Sequence, residues 1–389
     1  MMDRRTAIRS GGAALVGLGL AGCGSSGASR AATTARRAPI RLARPRLSWE
    51  RVIRTTVGLR PHRDGGFVLR ADKLDDKVLI HNYGHGGAGM SLAWGCGTLV
   101  SELARPADAE PIAVIGCGSP GLCTAIQLQR RGYAVTIYAA TMPPETTSNM
   151  SWAGYTPTTA LIEPERRTPE WDTQFRRAAE ISYRQLQLMT GPRYGVYWID
   201  SYNATDDPEP PPPGPGADLV PLELRAGRDR EVLGPGEHPF PTRYAIRASN
   251  LAIEPSTYLQ SLVDDFVRYG GRLVFRRFDS ARQFTSLAEP VIVNCTGLGS
   301  RELFGDEELV PIKGQLTFMV PQTEVDYRVS ARLPDGTNVG INPRSDGIVV
   351  GNSQEPGVWS LDVNPEIRQR NVDAAIQFVS QMRQAGDRR

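Results

Sequence analysis

Apolar residues along this chain follow two spacings, one typical of buried strands and one typical of helices. The stretch Pro111–Gly116, which reads PIAVIG, is a short continuous apolar run and predicts a strand buried on both faces of a sheet. Apolar residues at helical spacing follow as far as Gly132, and residues 133–139, YAVTIYA, predict a second strand. The order strand, turn, helix, strand is that of a parallel α/β unit.

Further helices and strands are predicted on both sides of this unit. Residues 170–189 and 364–384 read as amphipathic helices, and a third helix is predicted from Pro255 onward. Four more strands are predicted, two that extend the parallel sheet and two in an antiparallel sheet of a second domain: 271–275, 291–297, 315–320 and 346–352.

The turn after the first strand of the α/β unit carries three glycines. Gly116, Gly118 and Gly121 form the pattern G-x-G-x-x-G, which permits a tight turn and a close approach of the backbone to a pyrophosphate at the helix N-terminus. In this strand–turn–helix–strand context the pattern predicts a Rossmann-type nucleotide site. The acidic residue that usually binds the ribose is missing, because the second strand ends in AAT at 139–141 and the first carboxylate is Glu145.

A second glycine-rich loop precedes this unit. His81–Gly97, HNYGHGGAGMSLAWGCG, reads as a loop that runs into a helix, and such a loop suits the charged or polar edge of a cofactor. His81 and His85 are four residues apart, but the glycines around them disfavour a helix, so no metal site is predicted. Four cysteines in apolar surroundings are predicted to be small buried side chains, with a disulfide left open: Cys96, Cys117, Cys123 and Cys295.

The composition is that of a globular protein, with 40% hydrophobic and 22% charged residues in a chain of 389. That length accommodates two domains or one interleaved pair. The formal net charge is +3, and the three arginines and one aspartate of the first 22 residues account for +2 of it, which leaves +1 for the rest. A nucleic-acid partner is therefore not expected.

The N-terminal residues have the features of an export signal. Arg4 and Arg5 precede an apolar run at 13–21, which is shorter than the roughly 20 residues needed to span a bilayer. The arginine pair resembles a twin-arginine leader, and the sequence LAGC ending at Cys23 resembles a bacterial lipobox. We therefore expect residues 1–23 to be an export signal with a lipidated Cys23, while a frayed apolar end that stays in the cytoplasm is the alternative.

Residues 24–48 hold six arginines, no acidic residue and few large apolar side chains. This composition predicts a disordered linker, with contact to anionic lipid headgroups as an alternative role. The protein is thus expected on the outer face of the bacterial cytoplasmic membrane, which it would touch only through the lipid anchor.

Several motifs together carry a resemblance to a known family. The Rossmann loop, TTS at 146–148, VNCTG at 293–297 and NYGHGG at 82–87 resemble those of the FAD-dependent D-amino-acid oxidases and D-aspartate oxidases. The resemblance covers most of residues 50–385. In that family the NYGHGG segment lies near the C-terminus, after the Rossmann half, whereas here it comes first. The chain therefore resembles a circularly permuted member of the family.

In this interpretation, residues 101–110 join the family's C-terminal end to its N-terminal strand. The seven residues from 104 to 110 span roughly 23 Å when extended. Chain ends are often close together and exposed, so such a rearrangement is tolerated. A fusion of tandem genes is the alternative, and no internal repeat supports it.

The resemblance implies an α/β fold, in which a Rossmann-type FAD-binding domain is interleaved with a second, α+β substrate domain built on an antiparallel sheet. Both domains would be discontinuous because of the permutation. The FAD-binding domain would comprise residues 71–160 and 255–300. The substrate domain would comprise residues 49–70, 161–254 and 301–389.

The resemblance also implies a non-covalently bound FAD. One group of contacts is expected from the Rossmann turn and the segment after the second strand: Gly116, Gly118, Ser119, Pro120, Gly121, Thr146, Thr147, Ser148, Ala153 and Gly154. Thr296 and Gly297 follow a later strand of the same sheet. The glycine-rich loop is expected to offer backbone N–H groups and one hydroxyl to the pyrimidine edge of the flavin: Gly86, Gly87, Ala88, Gly89, Met90 and Ser91.

Two residues are expected at the substrate. Arg60, in GLRP, matches the family's arginine that binds the substrate carboxylate in a two-pronged manner, with a surface ion pair as the alternative. Gly87 matches the glycine whose carbonyl accepts a hydrogen bond from the substrate amine. Alignment on GIVVG puts Gly336 and Gly340 where the family has two tyrosines, which implies a broader pocket, and Tyr327 is a candidate to compensate.

The implied activity is oxidation of the C–N bond of a D-amino acid or related amine to an imino acid, and then a keto acid, by hydride transfer to the flavin. The partners would be a small-molecule substrate and oxygen or another electron acceptor, with a homodimer left open. The alternative is a substrate-divergent or non-catalytic flavin-binding protein of the same fold.

Overall fold

The computed structural model describes residues 38–104, 111–209, 216–220, 224, 229–351 and 353–384. The predicted export signal, most of the predicted linker and residues 105–110 of the predicted junction at 101–110 lie outside these residues. The described strands form two sheets, and a large cavity lies between them.

In chain order, the strands are β1 (Val52–Arg63), β2 (Val68–Leu74), β3 (Lys77–Tyr83), β4 (Ile112–Ile115), β5 (Val135–Ala139), β6 (Val196–Thr205), β7 (Glu231–Leu233), β8 (Tyr244–Ile253), β9 (Arg272–Phe275), β10 (Val291–Asn294), β11 (Leu309–Met319), β12 (Tyr327–Arg332), β13 (Asn338–Arg344), β14 (Gly347–Gly351) and β15 (Glu355–Pro356). The α-helices are α1 (Gly89–Leu103), α2 (Ser119–Gln129), α3 (Pro169–Leu188), α4 (Pro255–Arg268), α5 (Gly299–Phe304) and α6 (Pro365–Ser380). None of these described helices is both long enough and apolar enough to cross a membrane.

The smaller sheet contains the predicted Rossmann unit. Its strand order is β2-β3-β10-β4-β5-β9, and neighbours from β3 to β9 run parallel. Because β3 and β4 both pair in parallel with β10, the two glycine-rich loops that follow them emerge at the same edge of the sheet. All six strands fall within the predicted FAD-binding ranges except for residues 68–70 at the start of β2.

Helix α1, which follows the first glycine-rich loop, passes close to both α2 and α3. A Cβ on Gly95 would meet the backbone of Ala178 in α3, and a Cβ on Gly97 would lie 2.9 Å from the Cα of Thr124 in α2. The two glycines therefore permit a close approach that larger residues would prevent. As a result, α1 and α2 cover the smaller sheet together and share its apolar core.

The larger sheet has the order β1-β11-β14-β13-β12-β6-β8-β7, with β15 paired to β11. Neighbouring strands are antiparallel except for β12 and β6. On one face, Tyr327, Val329 and Ala331 of β12 share a core with Val372 and Phe378 of α6. Because side chains alternate along a strand, the residues between them face the cavity.

The three helices predicted from apolar spacing form close to their predicted bounds. Each begins with a proline at its first helical position, where the absent N–H costs no intrahelical hydrogen bond. Thr168 caps α3 by accepting a hydrogen bond from the Trp171 amide at 3.2 Å, and Asn364 caps α6 by accepting one from the Ile367 amide at 3.2 Å. The starts of these helices are therefore encoded locally.

The segment at 39–48 corrects one prediction. Leu42 and Leu47 pack against the core beneath α6, and the carbonyl of Ala43 accepts a hydrogen bond from the Tyr327 hydroxyl at 2.8 Å. The Ile40 amide donates to the carbonyl of Glu237 at 2.9 Å. The prediction of a disordered linker is therefore wrong for this part, because its few apolar residues are enough to hold it on the folded unit.

Candidate functional site

A cavity of about 840 Å³ lies between the two sheets. It is lined on one side by the loops after β3, β4 and β5, and on the other side by residues of β1, β6, β8, β11 and β12. Its volume falls within the range of small-molecule and cofactor sites.

The Gly116 turn is as tight as its sequence pattern predicts. Gly116 has a φ of 116°, which side-chain-bearing residues rarely adopt, and a Cβ on Gly121 would meet the carbonyl oxygen of Gly116. A Cβ on Gly118 would lie 3.1 Å from Oγ of Ser148, and the Ser119 amide donates to that same oxygen at 3.0 Å. The segment after β5 is therefore fixed against the N-terminus of α2, where a pyrophosphate is expected.

Most of the predicted site residues line this single cavity: Arg60, Gly86, Gly87, Gly89, Met90, Gly116, Gly118, Pro120, Thr146, Thr147, Ser148, Ala153, Gly154, Thr296 and Gly297. Four others do not appear in its lining: Ala88, Ser91, Ser119 and Gly121. Ala88 and Ser119 are fully buried beside the loops, and Gly121 packs beneath the Gly116 turn. These four residues shape the loops from behind.

The predicted hydroxyl contact from Ser91 is not supported by its surroundings. Ser91 Oγ donates a hydrogen bond to the carbonyl of Gly154 at 3.0 Å and accepts one from the Thr156 amide at 2.8 Å. The hydroxyl thus connects α1 to the segment after β5. The backbone amides of Gly86 and Gly87 also form hydrogen bonds within the protein. They donate to the carbonyls of Pro61 and Thr159 at 2.9 and 3.0 Å, respectively.

The carboxylate that is missing at the end of β5 has a counterpart from another part of the chain. Residues 140 and 141 line the cavity together with Arg276, Arg277 and Asp279, which follow β9. They meet because the Arg276 amide donates to the carbonyl of Ala139 at 3.0 Å. Asp279 is thus the carboxylate at this end of the cavity, although it lies far along the chain from the Gly116 turn.

The cofactor side fits FAD on three grounds. Two glycine-rich loops open onto the cavity, the N-terminus of α2 faces the position expected for phosphate, and several buried polar atoms lack a protein partner among the described residues. These atoms include Asn82 Oδ1 and His85 Nε2. Asn82 and His85 line the cavity. A polar ligand would satisfy such atoms, whose burial otherwise costs free energy.

Titratable groups beside the loops are held neutral by burial. Burial lowers the pKa of His85 to about 4 and raises the pKa of Cys117 and of Cys295 to about 12. His85 stacks on Phe67 with ring centroids 5.5 Å apart. These thiols are therefore neither nucleophiles nor bases near neutral pH.

Arg60 lies on β1 and reaches across the neighbouring strand. A Cβ on Gly314 of β11 would lie 2.8 Å from Cζ of Arg60, so the glycine makes room for the guanidinium. Nη1 donates to the carbonyls of Ile312 and Ser353 at 3.4 and 3.3 Å. Burial lowers the pKa of Arg60, although an arginine remains charged in proteins.

A second arginine in the cavity, Arg328, was missed from the sequence. Its Nε donates to Asn342 Oδ1 at 2.6 Å and its Nη2 to the carbonyl of Ala153 at 2.8 Å. Burial lowers its pKa to about 10. In the sequence, Arg328 alternates with buried residues of β12 and reads as solvent-facing. The sequence does not show that this face of β12 borders the cavity, because that depends on how the larger sheet packs against the smaller one.

The expected broader pocket at Gly336 and Gly340 requires correction. Gly336 lies in the turn between β12 and β13 and does not appear in the cavity lining. Gly340 is in β13, where a Cβ would lie 3.1 Å from Cη2 of Trp152. The ring of Trp152 fills this space. Tyr327 does not compensate, because it is buried in the core on the opposite face of the sheet.

Comparison with known proteins places this architecture in a family. Residues 11–103 and 111–388 match the family described as FAD dependent oxidoreductase. The D-amino-acid oxidase of Rubrobacter xylanophilus is 31% identical over 252 residues, covering 65% of this chain and 72% of that protein. The D-aspartate oxidase of Talaromyces thermophilus is 26% identical over 291 residues, covering 67% of this chain and 74% of that protein.

Among solved structures, glycine oxidase from Bacillus cereus is 13% identical, with a TM-score of 0.46 and coverage of 68% of this chain and 77% of that one. The family match spans nearly all of the described residues, including both glycine-rich loops. The FAD cofactor that the resemblance implied is confirmed. The chain belongs to the FAD dependent oxidoreductase family and is an amino-acid-oxidase-like flavoenzyme.

Proposed function

We propose that this enzyme oxidises the C–N bond of a D-amino acid whose side chain carries an acidic group, giving an imino acid that water converts to the keto acid. The observation that carries the proposal is the presence of Arg60 and Arg328 on the same cavity as the two cofactor loops. Arg60 would bind the α-carboxylate and Arg328 the side-chain anion. The D configuration is supported by the names of the related D-amino-acid and D-aspartate oxidases.

Arg60 is prepared for a carboxylate by the shape of β11. The absence of a side chain at Gly314 lets the guanidinium lie over that strand, and two neutral carbonyls orient it. A planar guanidinium held in this way can donate two parallel hydrogen bonds to one carboxylate. The Gly87 carbonyl, on the cofactor loop, would then accept a hydrogen bond from the substrate amine.

Arg328 favours a substrate with a second negative charge. The Arg328 guanidinium donates to two neutral acceptors, the side-chain amide oxygen of Asn342 and the backbone carbonyl of Ala153. Among the described residues, no carboxylate forms an ion pair with it. A cation taken out of water without an anion costs several kcal/mol. An acidic group on the substrate would offset this cost, whereas an uncharged side chain would not.

The chain's own groups perform binding and orientation. FAD, when bound, supplies the acceptor for the α-hydrogen and its two electrons, which then pass to oxygen or another acceptor. As the C–N single bond becomes C=N, the amine releases a proton. No strong base is needed if the amine arrives neutral. Burial lowers the basicity of the His85 ring and keeps Cys117 and Cys295 as neutral thiols, so these groups beside the loops do not act as bases.

The test is the rate of anaerobic flavin reduction in purified holoprotein with matched substrates, D-glutamate against D-glutamine and D-aspartate against D-asparagine. We expect the acid to be favoured over its amide by roughly 10- to 100-fold, since a hydrogen bond to a charged group is worth about 1.5–3 kcal/mol. In Arg328→Met the preference should fall to near unity, mostly through loss of activity with the acid.

Two controls separate the possible failures. Ser330→Ala, which alters a neighbouring cavity residue of β12, should leave the acid preference unchanged. L-Amino acids should not reduce the flavin. If no D-amino acid reduces it in the wild type, the alternative of a substrate-divergent or non-catalytic flavin-binding protein is supported instead.

We further propose that the enzyme is exported and lipid-anchored on the outer face of the bacterial cytoplasmic membrane. The support is the order of paired arginines, apolar run and LAGC sequence within residues 1–23. Cys23→Ser should move the protein from the membrane fraction to the soluble periplasmic or secreted fraction. An unchanged distribution would contradict lipid anchoring.

The proposed circular permutation has support in the placement of the chain ends. The amides of Ile40 and Arg383 both donate at 2.9 Å, to the carbonyls of Glu237 and Pro239 respectively. The two ends of the described chain therefore lie side by side, as a permutation requires. A chain in which residues 39–104 follow residue 384 through a short flexible linker should fold and bind FAD with near-native affinity. Failure to fold would count against the permutation.

A further inference from the structure

Outside the cavity, three side chains with metal-ligating atoms converge where the end of β1 meets the loop before α3. His62, Asp64 and Glu163 each offer one ligand atom, and these atoms all lie within 4.8 Å of one another. The two segments are held together by the Glu163 amide, which donates to the Asp64 carbonyl at 2.9 Å. The backbone therefore brings the three side chains together.

The hydrogen bond of His62 determines which ring nitrogen is available. Nδ1 lies 3.0 Å from the carbonyl oxygen of Ala160, which can only accept, so Nδ1 carries the hydrogen. In the neutral ring Nε2 then has a lone pair, yet it faces Asp64 Oδ1 at 3.2 Å. A cation bound by both atoms accounts for this contact, and the alternative is a proton on Nε2 that makes the two side chains an ion pair. Metal-binding histidines characteristically donate their other N–H to a carbonyl in this manner.

We propose that His62, Asp64 and Glu163 bind a divalent ion of the zinc class. His62 would bind through Nε2 and each acid through one carboxylate oxygen. An imidazole with two carboxylates suits Zn²⁺ better than Ca²⁺ or Mg²⁺, which prefer oxygen ligands alone. The two carboxylates balance the double positive charge, and the 55% exposed Asp64 side chain leaves room for water to complete the coordination.

The ion would connect two segments that both contact the first cofactor loop. The Pro61 carbonyl, next to His62, accepts from the Gly86 amide at 2.9 Å. In the loop that carries Glu163, the Thr159 carbonyl accepts from the Gly87 amide at 3.0 Å. A metal ion bound by both segments would hold this loop more rigidly, so it would slow the release of FAD.

The experiment starts from holoprotein that has been treated with a chelator and then titrated with Zn²⁺ against a coloured competitor. We expect one tight site per chain, and Co²⁺ in its place should show visible ligand-field absorption. His62→Gln and Glu163→Gln should each weaken Zn²⁺ binding at least 10-fold. Glu165→Gln, an exposed acid two residues from Glu163, is the matched control and should bind as the wild type does.

Bound FAD, measured from its absorption, confirms that each variant is folded. Glu163→Gln is the decisive variant because the Glu163 side chain is exposed, so we expect this substitution to leave the fold intact. Wild-type Zn²⁺ binding no tighter than that of Glu163→Gln would overturn the proposal and leave a protonated His62 paired with Asp64. A single site equally strong for Mg²⁺ would overturn the zinc assignment.

Discussion

The two sides of the cavity present different chemistry. The side formed by the smaller sheet offers backbone groups, glycines and a helix N-terminus, with Gly116 and Gly121 in van der Waals proximity. The side formed by the larger sheet offers long side chains, above all Arg60 and Arg328, and the ring of Trp152, from the segment after β5, lies against this sheet beside Gly340. A cofactor common to the family can be bound by backbone, whereas substrate choice depends on side chains that vary without disturbing the sheet.

The largest expected effect tests the cofactor side. In Gly121→Ala the added Cβ would meet the backbone carbonyl of Gly116, which cannot move without opening the turn. We expect FAD affinity to fall about 100-fold or more, because overpacking costs about 1–3 kcal/mol, occasionally more, and here the clash is with a backbone oxygen. The flavin content of the purified variant and a titration with FAD measure this affinity. Gly234→Ala, where the nearest atom is 3.5 Å away, is the control, and equal losses in both variants would contradict the expectation.

Removal of Arg60 tests the substrate side. Arg60→Ala should lower the specificity constant by roughly 30- to 5,000-fold, because truncation of one partner of a buried charge pair costs about 2–5 kcal/mol. Arg60→Lys should retain only part of the wild-type specificity constant, since an ammonium group lacks the planar fork of a guanidinium. Flavin content should stay near normal in both. A wild-type reduction rate in Arg60→Ala would remove the α-carboxylate role.

The pH dependence of stability is expected to arise partly on the cofactor side. Burial holds the pKa of His85 near 4, below the ordinary value of about 6.5, so the unfolded chain binds this proton more readily. Stability should therefore fall as pH drops from about 6.5 to 4, by up to about 3 kcal/mol from this group. Denaturant unfolding at several pH values measures it, and His85→Gln should show a shallower decline.

The smallest expected effect concerns the shape of the substrate side. Trp152→Ala would remove the ring that fills the space beside Gly340. We expect the specificity constant for bulky D-amino acids to rise about 10-fold relative to small ones, as for other changes of pocket volume. Trp359→Ala, at an exposed loop tryptophan, is the control. Unchanged selectivity would mean that Trp152 does not limit the pocket.

The sequence alone predicted the cofactor side well, because its signals are local. A buried strand, three glycines and an amphipathic helix occupy consecutive positions, and the backbone geometry that they require is largely independent of the remaining chain. The same holds for helix starts marked by Pro169, Pro255 and Pro365. The sequence did not indicate the protein partners of the Ser91 hydroxyl, the Gly154 carbonyl and the Thr156 amide, because both are distant in sequence.

The substrate side could be predicted only where a motif carried it, as for Arg60. Arg328 and Trp152 belong to no motif, and their alternation or spacing gives no indication that they face a cavity. Asp279 reaches the end of β5 only because β9 pairs with that strand. The sequence by itself thus determined the elements, the turns and the cofactor loops, since these depend on neighbouring residues. The packing of the two sheets decided which side chains meet the substrate, because that depends on contacts between residues far apart in the chain.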